Sequence, residues 1–236
     1  MPQKWGVGSK LIGKLLSGAV KLYLRSQVER VENLQVKIGG KSKQILQGYI
    51  PEVWLSCDRA IYQGLHLNQI QLNGTNIAVN LPEVIKKQPL KLIEPIFIDI
   101  ALKLNTVDLQ ASLASDLLRS GLADLWRMIL AAQDSTELDR ETIAWQKIAI
   151  VNESLVLLGR YQDASGETKK LTLTTEISLK DDHCLCLAPL KIASDSLQNG
   201  TLERQLEIDL GTDVAIANLT MESGQILCTG KIRVNN

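Results

Sequence analysis

The sequence predicts an α+β fold in which curved antiparallel sheets wrap on long amphipathic helices. Three observations carry that prediction. Two stretches repeat their apolar residues with a helical period. Most of the remainder alternates apolar with polar residues, as a strand with one buried face requires. The connections between the alternating runs are short, which favours antiparallel neighbours.

From Ser9 to about Gln27 the pattern is helical. At about 100° per residue, Lys10, Lys14, Lys21 and Arg25 fall within a narrow arc, and Leu11, Ile12, Leu15, Leu16, Ala19, Val20, Leu22 and Tyr23 fill the opposite half. Ser9 is placed to cap the helix, and Gly13 and Gly18 weaken it, so contact with the rest of the protein or with a membrane must support it. The expected arrangement packs a Leu11, Leu15, Ala19 and Leu22 stripe on the first sheet. Alternation begins with Leu34, Val36 and Ile38, turns at Gly39-Gly40, and resumes through Ile45–Ile50, Val53, Leu55 and Cys57 with a break at Pro51. Leu65, Leu67, Ile70 and Leu72 lead to Asn73-Gly74, a hairpin dipeptide. Ile77, Val79 and Leu81 continue, residues 82–89 interrupt, and Ile96, Ile98, Ile100, Leu102 and Leu104 share one face.

A second helix is expected to start at Thr106, with Asp108 in its first turn where an acid suits the dipole. Its stripe of Leu109, Leu113, Leu117, Leu118, Leu122, Leu125, Trp126 and Ile129 runs to about Ala132, with Gly121 as the expected break. The polar run Gln133–Glu141 reads as a joint. The chain is therefore expected to form one domain of two halves, helix–meander–helix over about 1–132 and a second meander over about 142–236. The second meander contains Ile148, Ile150, Leu155 and Leu157, a turn at Ala164-Ser165-Gly166, and Leu171 to Leu179. It continues with a strand holding Cys184 and Cys186, then Leu202 to Leu210, Val214–Leu219 and Ile226 to Val234.

Of the 236 residues, 45% are hydrophobic and 22% charged, a globular composition with ample core material. No apolar run approaches the roughly 20 residues of a spanning helix, and the first ten residues show no apolar signal-peptide region. The expected location is cytoplasmic, or peripheral on the cytoplasmic face of a membrane. Formal net charge is +0, yet Lys4, Lys10, Lys14, Lys21 and Arg25 are unopposed by any acid before residue 26. This basic start points to an anionic membrane surface, with a solvated helix face as the alternative. Cys57, Cys184, Cys186 and Cys228 are expected to be free thiols.

Few motifs promise chemistry. Gly8-Ser9-Lys10-Leu11-Ile12-Gly13-Lys14-Leu15 has the glycine and lysine spacing of a phosphate loop, but Leu15 replaces the Mg²⁺-binding hydroxyl and no strand precedes it. No nucleotide is expected. In Asp181-Asp182-His183-Cys184-Leu185-Cys186 a strand would point His183 away from both cysteines, leaving a metal short of ligands; no metal and no cofactor are expected. His66 and His183 adjoin no nucleophile motif, so no catalytic residues and no enzyme activity are expected. The basic residues lack interleaved aromatics, which argues against nucleic acid.

The segments Ser26-Gln27-Val28-Glu29, Leu34–Gly40, Gln44–Gly48 and Val53-Trp54-Leu55 resemble the LmeA-like phospholipid-binding family. So do Leu104-Asn105-Thr106-Val107-Asp108-Leu109-Gln110-Ala111-Ser112-Leu113, Leu210-Gly211-Thr212-Asp213 and Gly224–Gly230. The likeness looks strongest to the branch found in photosynthetic bacteria. It implies a tubular lipid-binding type of fold and phospholipid as the ligand, and it brings no catalytic residues. The expected function is non-enzymatic lipid binding, as a carrier or sensor at an anionic membrane surface. Lys10, Lys14, Lys21, Arg25, Leu11 and Leu15 are the expected lipid or membrane contacts. The rival expectation is a protein-interaction or scaffolding module whose apolar groove takes a partner helix.

Overall fold

The computed structural model describes residues 7–131, 143–163, 165–195, 201–222 and 224–235, with side chains from Leu16 onward except at 201 and 202. The first sheet is built from β1 (Arg30–Glu32), β2 (Gln35–Gly39), β3 (Tyr49–Tyr62), β4 (Leu65–Ala78) and β5 (Ile96–Asn105). A second sheet contains β6 (Ala144–Val151), β7 (Ser154–Gln162), β8 (Thr168–Asp181), β9 (Cys184–Ser194) and β10 (Thr201–Asp209). The last hairpin, β11 (Val214–Glu222) and β12 (Gln225–Val234), then returns to the first sheet. The orders are β1-β3-β4-β5-β12-β11, with β2 also paired to β3, and β10-β9-β8-β7-β6; all pairings are antiparallel. Among the described residues five helices accompany the strands: α1 (Val7–Gln27), α2 (Ser42–Leu46), α3 (Leu81–Ile85), α4 (Thr106–Ser112) and α5 (Asp116–Ala131). The fold is thus β-rich and antiparallel, with fewer and mostly shorter helices than an α+β architecture of long helices requires.

The first helix packs as expected, but on a different stripe. Leu16 is 0% exposed and Val20 8% exposed. With Ala19 and Leu24 they join Ile45, Ile50, Ile77, Val79, Leu81, Val84 and Ile96 in one core. Leu22, placed on the packing stripe by the sequence, is 72% exposed. Residues 16, 19, 20 and 24 share one helical face, and residue 22 lies half a turn away from it. The proposed cap at Ser9 and the inner contacts of Leu11 and Leu15 concern side chains outside the described residues, as does the structure of the Gln133–Glu141 joint.

Three local expectations are corrected. The hairpin turn is Gln63-Gly64, not Asn73-Gly74. Tyr62 pairs with Leu65, and both intervening residues have positive φ (48° and 74°), the type I′ geometry that matches strand twist. Asn73 and Gly74 instead run inside β4, paired with Trp54 and Val53. The long helix breaks at Ser115, not Gly121. Ser115 Oγ accepts the Leu118 N–H at 3.1 Å and Asp116 occupies the first turn, so a new helix is capped there. Gly121 sits inside α5. Finally, part of the Ile45–Ile50 run is helical in α2, and α3 occupies the start of the interruption at residues 82–89. The expected helix start at Thr106 holds, with Asn105 as the cap: its Oδ1 accepts the Asp108 N–H at 2.8 Å.

The second sheet closes on its own helix. Leu122, Leu125, Trp126 and Ile129 of α5 lie on Leu157, Leu171, Leu173, Leu187, Leu190 and Ile192, and those six strand residues are 0–3% exposed. The two sheets are tied at two places. Along α4, Thr106 Oγ1 accepts the Ile150 N–H at 3.1 Å, Gln110 Oε1 accepts the Ile148 N–H at 3.0 Å, and Ser112 Oγ accepts the His66 N–H at 2.8 Å. At the β8–β9 turn, the Ile216 N–H donates to Asp182 O at 2.7 Å and His183 Nδ1 lies 2.6 Å from Val214 O.

Candidate functional site

Strict alternation in β5 puts Ile98, Ile100, Leu102 and Leu104 on one face, and the registers extend that face across the first sheet. One row reads Val36, Leu55, Leu72, Ile100, Gly230, Ile216; the next reads Cys57, Ile70, Leu102, Cys228, Leu219. Both rows are apolar from end to end. On the opposite face the neighbours of Ile100 are Asp99 and Ala101, and Asp99 pairs with Asn73 and Lys231, which marks that side as the wetter one.

Coverage of the apolar face is uneven. Over β3 and β4 it is mostly covered: Leu55 is 7%, Cys57 6% and Ile70 8% exposed, while Leu72 is half-buried. Helix α1 covers the row holding Ile38, Val53 and Ile98. Over β5, β12 and β11, however, Ile100, Leu102, Cys228, Ile216, Leu219 and Ile232 are all only half-buried. Of these, Ile100, Ile216, Leu219, Cys228 and Ile232 belong to none of the three packed cores of the described residues. The corresponding face of the second sheet is largely inside a core, with Leu157, Leu171, Leu173, Leu187, Leu190 and Ile192 almost fully buried beneath α5. Two sheets with the same alternation thus differ in one respect: one supplies its own cover, and the other leaves several apolar side chains unmatched.

Glycine shapes this face. A Cβ on Gly230 would stand 2.3 Å from Ala215 O and 2.9 Å from Ile216 Cα, so only glycine permits the bulge that shifts register between Ile216 and Asn218. A trough of about 480 Å³ lies against these strands on the wetter side, lined by Asp99, Ala215, Thr229 and Lys231 together with Ile100, Ile216 and Gly230, and by Asp182 from the β8–β9 turn. A second recess, about 270 Å³, lies by α4 among Arg30, Glu32, Arg59, His66, Val107 and Asp108. Both open to solvent.

The thiols on the apolar face behave as small hydrophobes. Burial pushes the pKa of Cys57 and of Cys228 up, so both stay protonated at neutral pH. All four cysteines are free. Cys184 and Cys186 lie in β9, half-buried, whereas His183 lies in the β8–β9 turn rather than in the strand and its Nδ1 meets Val214 O. Among the described residues no three His, Cys, Asp or Glu side chains converge.

Of the residues the sequence marks as contacts, Lys21 is half-buried on α1 and Arg25 is exposed near its end. Lys10, Lys14, Leu11 and Leu15 lie on the same helix, with side chains outside those described. None of the six belongs to the two apolar rows. The residues that form them were visible in the sequence as alternating apolar positions, but nothing there separates a covered face from an open one.

The fold and this face define a β-rich protein of two antiparallel sheets, one closed by its own helix and one partly open. Within that class the assignment is direct: the chain belongs to the LmeA-like phospholipid-binding family, whose model matches residues 7–231. No curated protein matches the chain, and no solved structure does. Among the described residues, no helix is long and apolar enough to cross a membrane.

Proposed function

We propose that this protein binds phospholipid non-covalently, with acyl chains lying on the open apolar face over β5, β12 and β11. The observation that carries the reading is the set of half-buried side chains Ile100, Ile216, Leu219, Cys228 and Ile232, which join no internal core. An apolar ligand completes that core in the way α5 completes the second sheet. Membership of the LmeA-like phospholipid-binding family supports the same ligand.

The energetics favour a carrier or sensor over a scavenger. Removing about 10 methylenes from water is worth roughly 8 kcal/mol, which corresponds to about micromolar affinity. A lipid taken from a bilayer was already out of water, so transfer between bilayer and protein is close to neutral and therefore reversible. An anionic membrane surface is the natural source and destination, and the four free thiols suit a reducing, cytoplasmic side. In this reading the tubular lipid-binding type of fold serves binding, and no bond is made or broken.

Native mass spectrometry of protein purified from cells tests the proposal. Lipid adducts in the phospholipid mass range are expected, with unchanged lipid masses after prolonged incubation. A clean apo mass, together with no uptake of monomeric short-chain phosphatidylcholine, overturns it. A bound partner protein that survives detergent, with no lipid present, establishes the scaffolding alternative instead.

A further inference from the structure

The end of the first sheet next to α1 carries a second, separate feature. Three large aliphatic side chains project there into solvent: Leu46 is 49%, Ile85 56% and Ile93 65% exposed. Leu46 is the last residue of α2 and Ile85 the last of α3, while Ile93 lies in the connection to β5. They are not loose ends. The buried partners beside them, Ile45, Leu81 and Val84, sit in the core that α1 closes. The backbone joins the three segments: the Val79 N–H donates to Gly48 O at 2.8 Å and the Ile93 N–H to Ala78 O at 2.9 Å. Asn80 grips the connection, accepting the Lys91 N–H at 2.7 Å and donating to Pro89 O at 3.0 Å.

The same segments are basic. Lys41 caps α2 and Lys43 lies within it, and Lys86, Lys87 and Lys91 follow α3; all five are exposed, and none is in an ion pair among the described residues. The acids of these segments are Glu83 and Glu94, both exposed. Lys21 and Arg25 of α1 add to the charge at this end, because α1 packs on α2. Rigid aliphatic tips ringed by unpaired lysines match the interface of an anionic bilayer: the tips reach the acyl boundary and the ammonium groups meet the headgroups. A protein partner would need a cavity for each tip, whereas a bilayer accepts them without one.

We infer that this end, formed by α2, α3 and the 86–93 connection, docks the protein on anionic membrane. It rests on the lipid-binding reading above and gives it a place of contact distinct from the ligand face. Because α1 spans both Ile45 of this end and Ile98 of the adjoining row in one core, the docked end lies next to the start of the apolar face.

The test uses the full chain and sedimentation with vesicles of phosphatidylcholine, alone or with phosphatidylglycerol. Wild type is expected to bind only the anionic vesicles. Leu46→Ser with Ile85→Ser and Ile93→Ser should weaken that binding on the order of 100-fold, and Lys86→Glu with Lys87→Glu and Lys91→Glu should do so by at least about fivefold per lysine. Both variants should retain the wild-type melting temperature and uptake of monomeric short-chain phosphatidylcholine, since every altered side chain is exposed. If either variant sediments like wild type, the docking surface is wrong. If wild type takes up short-chain lipid but ignores both vesicles, the docking inference falls and the lipid-binding reading stands. If wild type takes up no lipid at all, the lipid-binding reading itself falls.

Discussion

Truncating the open face and truncating the closed one should have opposite consequences. Ile100 and Ile216 flank Gly230 across three strands and are half-buried. Changing both to Ala removes three carbons at each site. With one side of each chain already touching the sheet, about half of the full burial value of about 0.8 kcal/mol per methylene is at stake, or about 1 kcal/mol per residue. The double variant should bind lipid about 2 kcal/mol more weakly, roughly 30-fold, and should lose at most a comparable amount of stability. Leu173, 0% exposed beneath α5, is the control. Leu173→Ala leaves a closed cavity and should cost about 2–5 kcal/mol of stability with lipid affinity unchanged. Calorimetric titration with monomeric short-chain phosphatidylcholine gives the affinity, and urea denaturation gives the stability. Wild-type affinity in the double variant would refute the assignment of the face, as would an equal loss of affinity in folded Leu173→Ala.

Other expectations follow from positions already described. Leu16→Ala should lower unfolding free energy by about 2–5 kcal/mol and Leu22→Ala by less than about 0.5; equal effects in urea denaturation would mean that α1 packs on its other face. Gly64→Ala should cost about 1–3 kcal/mol, because φ is +74° and the new Cβ would lie 2.7 Å from Ser115 Cβ. At Gly74 the nearest obstacle is the flexible Ile77 Cδ1 at 3.0 Å, so the same change should cost less, and the reverse order of thermal midpoints would contradict the turn assignment. The Val214 carbonyl raises the pKa of His183 above the ordinary 6.5. The stability this provides should be complete below pH 6.5 and disappear as pH rises through the elevated folded value. The stability difference between wild type and His183→Gln should therefore shrink from pH 5.5 to pH 8, and a constant difference would rule that linkage out.

Local chemistry legible in the sequence tracked backbone geometry wherever one pattern competed with none. The Thr106 helix start and the alternation of β5 are of that kind. It misled where two signals competed. Asn73-Gly74 is the stronger turn dipeptide, yet Gln63-Gly64 turns, because a bend at 73 would break the pairing of β4 with both Val53 and Ile98. Gly121 is the weaker helix former, yet α4 ends at Ser112 and Ser115 starts the next helix through a hydrogen bond that composition does not display. The return of β11 and β12 to β5 depends on which strand edge is free, a property of the assembled sheet. The candidate site was hidden for the same reason. Leu173 and Ile100 occupy equivalent places in equivalent patterns, and only the position of α5 makes one of them core and the other surface.

The strand order also has a meaning in time. During synthesis β5 emerges long before its neighbour β12, so its Ile96–Asn105 edge waits unpaired until Gln225–Val234 has emerged as well. An uncovered strand with five aliphatic side chains on one side is a template for association with other chains. The second sheet and α5 can form in that interval, since all their strands are contiguous in the chain. The first sheet can be finished only by the C-terminal hairpin, which makes Gln225–Val234 the latch on assembly.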